Sequence, residues 1–215
     1  MCALNEVKGM IVFMNKPIIG ITCRTIKNDD RDILKVNKSI VDYIMNSGGI
    51  PLLILEDMDF GIFDGFIFPG GYSWEKLDEK VLKYAFEKNI PVLGICAGMQ
   101  LIASIDKFGN IKDNCKSIGN NTHQSKNKYV HDILISKGIL HDILCKDRIR
   151  VNSRHNDTVN VNNFFIIDAV SDDGIIEAIH IPNKSFILGL QWHPEDLSDE
   201  FSQSIFKYFI EKCKK

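Results

Sequence analysis

The stretch PVLGICAGMQLIASI, residues 91 to 105, decides the fold. Pro91 to Ile95 is a short apolar run, the length of a buried strand, and AGMQLIASI continues directly from it with helix-forming residues. Cys96 stands at the junction, with Gly94 two residues before it and Gly98 two after. A side chain in so tight a strand-to-helix turn is held in a strained backbone conformation that only small neighbours permit, and it projects at the top of the sheet. The helix N-terminus beside it favours thiolate over thiol through its free N–H groups and dipole. A buried structural cysteine between glycines fits the same residues, so this segment alone leaves both readings open.

On either side of it, from Pro17 onward, short apolar runs alternate with amphipathic stretches, as a sheet covered by helices on both faces requires. PIIGITC (17 to 23), PLLIL (51 to 55) and GFIFPGG (65 to 71) read as strands. A helix is expected from Leu34 to Ser47, with Val36, Ile40, Val41, Ile44 and Met45 near one face and Gly48-Gly49 as its stop. A second helix carries Leu77, Val81, Leu82 and Ala85. Residues 106 to 128 are polar and rich in Asn and Lys, and read as a surface connection with one short ordered piece. YVHDILI, RIRVNS, FFIIDAV, GIIEAIH and FILGLQ then follow as strands with few helices between them, which predicts an antiparallel or mixed extension of the sheet. A terminal helix places Phe201, Ile205, Tyr208 and Phe209 inward.

The 215 residues are enough for one substantial α/β domain, expected over 16 to 213, with residues 1 to 15 as an extension without a readable role. A composition of 45% hydrophobic and 25% charged residues with net charge -2 gives no electrostatic reason for a nucleic acid partner. The run from Met10 to Met14 is too short for a signal peptide, and no run approaches a membrane span. The six cysteines (Cys2, Cys23, Cys96, Cys115, Cys145, Cys213) form no CxxC pair and no zinc or disulfide spacing, so the expectation is a reducing, cytoplasmic compartment and no metal.

Two further motifs bear on Cys96. GLQWHPE (189 to 195) places His193 after an apolar run, at a strand end, with Glu195 two residues on and Pro194 stiffening the link. That spacing lets a carboxylate fix the imidazole tautomer so that the other nitrogen faces a thiol. Five other histidines (His123, His131, His141, His155, His180) sit in no comparable turn. FPGG (68 to 71) follows a strand with consecutive glycines, whose N–H groups can approach a substrate oxygen closely; such a turn is more often only a turn.

Taken in order, PGG, GICAGMQ and WHPE resemble the class I glutamine amidotransferases, and KPIIGIT, SGGIPLLI and VNSRH (151 to 155) resemble their peptidase C26 branch of γ-glutamyl hydrolases. The resemblance covers roughly residues 16 to 210. It implies a flavodoxin-like, doubly wound, mostly parallel sheet with an antiparallel extension, and a triad of Cys96, His193 and Glu195. It also implies an oxyanion hole from the N–H groups of Gly71 and Ala97, and a glutamyl site around Gly70, Gln100, Ser153 and Arg154. This sequence departs from the branch at Ala97, where arginine is usual, at Asn156-Asp157 in place of His-Gln, and in a short stretch between PGG and the cysteine.

The function expected from these residues is cysteine-dependent hydrolysis of a γ-glutamyl amide through a glutamyl thioester, without metal, nucleotide or redox cofactor. The alternative is a glutaminase subunit that passes ammonia to a separate synthetase. A non-catalytic binding protein is a third reading, against which the complete set of triad residues argues. The partner is then a small γ-glutamyl amide or glutamine, with no nucleic acid and no membrane, and the sequence leaves a homodimer open.

Overall fold

A computed structural model describes residues 16 to 56, 58 to 119 and 122 to 215; the extension over residues 1 to 15 lies outside them. Thirteen strands are described: β1 (Ile18–Ile21), β2 (Arg24–Asn28), β3 (Arg31–Lys35), β4 (Ile50–Leu53), β5 (Gly65–Phe68), β6 (Val92–Ile95), β7 (Cys115–Ser117), β8 (His131–Ile135), β9 (Arg148–Val151), β10 (Asp157–Val159), β11 (Ile166–Ser171), β12 (Ile176–His180) and β13 (Ile187–Leu190). The α-helices are α1 (Lys38–Asn46), α2 (Lys76–Lys88), α3 (Ala97–Ala103), α4 (Ile139–Leu144) and α5 (Glu200–Lys212).

Nine strands form one sheet in the order β4-β1-β5-β6-β13-β12-β11-β8-β9. The pairs from β4 to β13 are parallel and the pairs from β13 to β9 are antiparallel. The parallel half follows the flavodoxin-like 2-1-3-4-5 order when its five strands are counted along the chain. The fold is therefore the doubly wound one that the resemblance implies, with the antiparallel extension that the late strands predict.

Side-chain alternation explains why both faces are covered. Along β5, Phe66 and Phe68 enter one core while Ile67 enters the other; along β6, Val92 separates in the same way from Leu93 and Ile95. One core contains Ile40 and Ile44 of α1, Leu140 and Leu144 of α4, and Ile205, Phe206, Phe209 and Ile210 of α5. The other contains Val81, Leu82, Ala85 and Phe86 of α2 and Met99, Leu101, Ile102 and Ala103 of α3. In α5, Phe206 and Ile210 join Ile205 and Phe209 on the buried side, whereas Phe201 and Tyr208 are only partly covered.

The structure corrects the sequence reading at the first helix and fills it in at two other places. The helix expected from Leu34 begins at Lys38, capped by Asn37, whose side chain accepts from the Ser39 N–H; Leu34 and Lys35 instead close the antiparallel hairpin β2–β3. The hairpin was not legible because its residues are nearly all exposed, so no buried face imposes an alternation. A helix, α4, lies between β8 and β9. The short ordered piece expected in the polar connection is β7, and it pairs with β10, a strand too short and polar to stand out.

Candidate active site

The carboxyl ends of β1, β5, β6 and β13 lie side by side, and each is followed by a residue of the site: Arg24, the Pro69-Gly70-Gly71 turn, Cys96 and His193. Open parallel sheets gather their ligands at this edge, because crevices form where neighbouring connections diverge to opposite faces.

Cys96 has φ 50° and ψ -106°, outside the region that a residue with a side chain normally occupies. Hydrogen bonds hold it there: its N–H donates to Leu190 O at 2.7 Å and its carbonyl accepts from Gln100 N at 3.1 Å. Close approach of α3 to the sheet explains the flanking glycines. A methyl group on Gly94 would lie 2.5 Å from Gly98 O, and one on Gly98 would collide with Phe68 O. Gly70 is as constrained, since a methyl there would meet His193 Cε1 at 2.5 Å and Cys96 Cβ at 3.4 Å. The Gly-Gly turn is thus packed directly over the cysteine and histidine.

His193 Nδ1 lies 2.8 Å from Glu195 Oε1, and the ring and Cys96 meet beside Gly70, where a methyl group would touch both. Burial opposes protonation of the imidazole, but the hydrogen bonds to Cys96 and Glu195, and their charges, outweigh it and push its pKa up to about 10. His193, Glu195 and Asp196 lie close enough together to hold a metal, but Nδ1 of His193 is already taken by Glu195 Oε1.

Cys96, His193, Gly71, Gln100 and Arg154 line one cleft of about 300 Å³, together with Tyr72, Gln124, His155, Asn156 and Asp157. Ala97 is fully buried at the start of α3, behind Cys96. Gln100 Nε2 reaches Gln191 Oε1 at 3.4 Å and Asp157 O at 3.5 Å. Arg154 is tied to Asp196 by an ion pair at the rim. Ser153 is brought near but turned away: its hydroxyl donates to His123 O at 2.8 Å, and its carbonyl accepts from Ser125 N at 3.0 Å.

Two positioning residues escaped the sequence reading. The buried Asn152 clamps the backbone of His193 from both sides, its Nδ2 donating to His193 O at 2.7 Å and its Oδ1 accepting from His193 N at 2.8 Å. Arg24 lies against Gly71, donates to Pro69 O, and pairs with the buried Asp78 at 2.8 Å, so the turn rests on a buried ion pair. Its place directly after the first strand was the available signal; for Asn152 the only signal was its place after β9. The structure also assembles His123, His131, His155 and Glu177 beneath the cleft from four separated segments, a ligand set that no local spacing reveals.

Comparisons with known proteins give the family and the fold. Residues 73 to 195 match the family model of Peptidase C26. A glutamine-hydrolysing GMP synthase subunit of Picrophilus torridus is 34% identical over 71% of this chain and 78% of its own length. The γ-glutamyl-γ-aminobutyrate hydrolase PuuD of Escherichia coli is 26% identical over 93% of this chain and 94% of its own. Among solved structures, the glutaminase domain of Trypanosoma brucei CTPS superposes with a TM-score of 0.68 at 17% identity, covering 92% of this chain and 94% of that one. No helix among the described residues is long and apolar enough to cross a membrane. A strand-end cysteine packed beneath a Gly-Gly turn, on a sheet of this order, thus belongs to a chain that is a member of the Peptidase C26 family and has the class I glutamine amidotransferase fold.

Proposed function

We propose that the protein hydrolyses γ-glutamyl amides with Cys96 as nucleophile, His193 as proton carrier and Glu195 as the group that orients it. The observation that carries this reading is the convergence on one cleft of a strained strand-end cysteine and an imidazole that is packed beside it and bonded to a carboxylate. The imidazolium stabilises the thiolate, which attacks the γ-carbonyl. The N–H groups of Gly71 and Ala97 receive the oxyanion, and the tetrahedral adduct collapses as His193 protonates the departing amine. Water, deprotonated by the same imidazole, attacks the glutamyl thioester and releases glutamate. Gln100 and Arg154 line the cleft and are the groups to hold the amino and carboxylate ends of the glutamyl moiety, while Gly70 packs against Cys96 and His193 and Ser153 lies buried next to Arg154 in sequence.

A second reading, a glutaminase subunit that hands ammonia to a separate synthetase, is favoured by the 34% identity to the Picrophilus torridus GMP synthase subunit. A panel of γ-glutamyl amides including glutamine, measured for glutamate release, separates the two. Turnover by the isolated chain supports the hydrolase, whereas near silence relieved by a synthetase partner supports the second reading. Labelling with a glutamine-mimicking diazoketone should mark the wild type and leave Cys96→Ala unlabelled. Absence of labelling together with absence of turnover defeats both.

A further inference from the structure

Below the cleft, four side chains point at one another with nothing to satisfy them. His123 Nδ1, His131 Nε2 and His155 Nε2 lie 3.2, 3.4 and 3.5 Å from a single oxygen, Oε1 of Glu177. Glu177 is fully buried, and its two carboxylate oxygens, His131 Nε2 and His155 Nε2 have no hydrogen-bond partner among the described residues. The opposite nitrogen of each ring is taken. His123 Nε2 meets Asp173 Oδ2 at 3.0 Å, His131 Nδ1 meets Asp132 O at 3.2 Å, and His155 Nδ1 meets Asp157 O at 3.0 Å.

The tautomers follow from those partners. A carbonyl or carboxylate oxygen only accepts, so each outward nitrogen carries the N–H and each inward nitrogen of a neutral ring presents a lone pair. The Ser153 hydroxyl, 3.3 Å from His123 Nδ1, spends its proton on His123 O at 2.8 Å and cannot relieve that nitrogen. With all three rings neutral, three nitrogen lone pairs and a carboxylate converge in a buried space, which is repulsive unless positive charge, a metal ion or an added proton, stands between them. Metal-bound histidines characteristically donate their outer N–H to a carboxylate or carbonyl, as these three do.

We propose that His123, His131, His155 and Glu177 bind a zinc ion, through the four atoms that face one another. In a tetrahedral site with metal–ligand distances of about 2.0–2.1 Å, ligand atoms are separated by about 3.3–3.4 Å. The three nitrogen–oxygen separations match that edge. All four atoms lie within 4.8 Å of one another, and binding draws the wider pairs together through His131, the only one of the four that is not fully buried. Imidazole with one carboxylate suits a borderline transition-metal dication rather than magnesium or calcium, which take oxygen sets. Four protein ligands leave no open position, so the ion is structural.

Its consequence is local. The ligands come from the polar connection, the first residue of β8, the segment after β9 and the middle of β12, and His155 adjoins Arg154, Asn156 and Asp157 on the cleft wall. The ion therefore fastens the wall facing Cys96, and its loss should raise KM several-fold while changing kcat less.

Metal analysis of the purified protein by mass spectrometry, followed by chelation and titration with Co²⁺, tests the site. One equivalent of zinc per chain is expected, and the chelated protein should take up one Co²⁺ with the intense visible bands of tetrahedral cobalt. Glu177→Gln and His155→Ala should each lower the bound metal at least tenfold, whereas Cys96→Ala should keep it, which separates this site from the thiol. The cobalt spectrum is read on the wild type, so the proposal remains testable if those variants fold poorly. Protein that takes up no zinc or cobalt, a weak octahedral cobalt spectrum, or folded cluster variants that retain the metal would overturn it. Protons on the imidazoles would then be what balances Glu177.

Discussion

Asn152 and His193 show how single residues set the geometry of this site. A side-chain amide that bonds both the N–H and the carbonyl of one residue fixes that residue's backbone and, with it, the direction of the imidazole. Asn152→Ala should lower hydrolysis of γ-glutamyl amides by up to about 100-fold, mostly in kcat, because small displacements of a reacting group are costly. Steady-state kinetics checks this, with labelling of Cys96 retained. The raised pKa of His193 also has a thermodynamic consequence. Its folded value of about 10 lies above the ordinary 6.5, so its protonation stabilises the fold fully below about pH 6.5, and that contribution is lost as pH rises toward 10. The stability gap between wild type and His193→Gln should therefore narrow between pH 6.5 and 10 in urea denaturation.

At the scale of elements, the Pro69-Gly70-Gly71 turn depends on an ion pair between the first residue of β2 and the first turn of α2. Asp78 accepts from Arg24, from the Thr22 hydroxyl and from the Glu75 N–H. The last of these closes a capping box with Glu75, so the carboxylate serves helix and turn together. The pair is almost wholly buried, with side-chain exposures of 11% for Arg24 and 1% for Asp78. Asp78→Ala strands the guanidinium and should cost about 3–5 kcal/mol in equilibrium unfolding. It should also weaken diazoketone labelling of Cys96, as the glycine turn loses its support.

Across the whole molecule, stability is unevenly distributed. The parallel strands β1, β5 and β6 are buried on both faces, whereas β2 and β3 pair only with each other and stand nearly exposed. Amides from Ile26 to Leu34 should exchange with deuterium orders of magnitude faster than those of β5 and β6, as followed by mass spectrometry. That hairpin borders a groove on the far side of Gly71 that also reaches His193 and Glu195, so its mobility bears on access to the site. Equal protection of the hairpin and the central strands would refute this division.

How much was legible in the sequence follows from where each signal is encoded. Strands buried on both faces, such as GFIF and VLGI, appear as apolar runs because every residue meets a core, and Cys96 was identifiable because its neighbours must be glycine for α3 to touch the sheet. His193 and Glu195 were legible because two residues are short enough for one carboxylate to reach its own histidine. The hairpin, the Asn152 clamp and the Arg24–Asp78 pair left no local pattern, since an exposed strand needs no periodicity and the paired residues lie 41 and 54 positions apart. The cluster around Glu177 is the extreme case. Its ligands are spread from His123 to Glu177, and only the antiparallel return of β12 beside β13 and β11, with the polar connection folded over it, sets three imidazoles around one carboxylate. Chain neighbours determined the strands and the turn at Cys96; contacts between segments far apart in sequence decided what surrounds it.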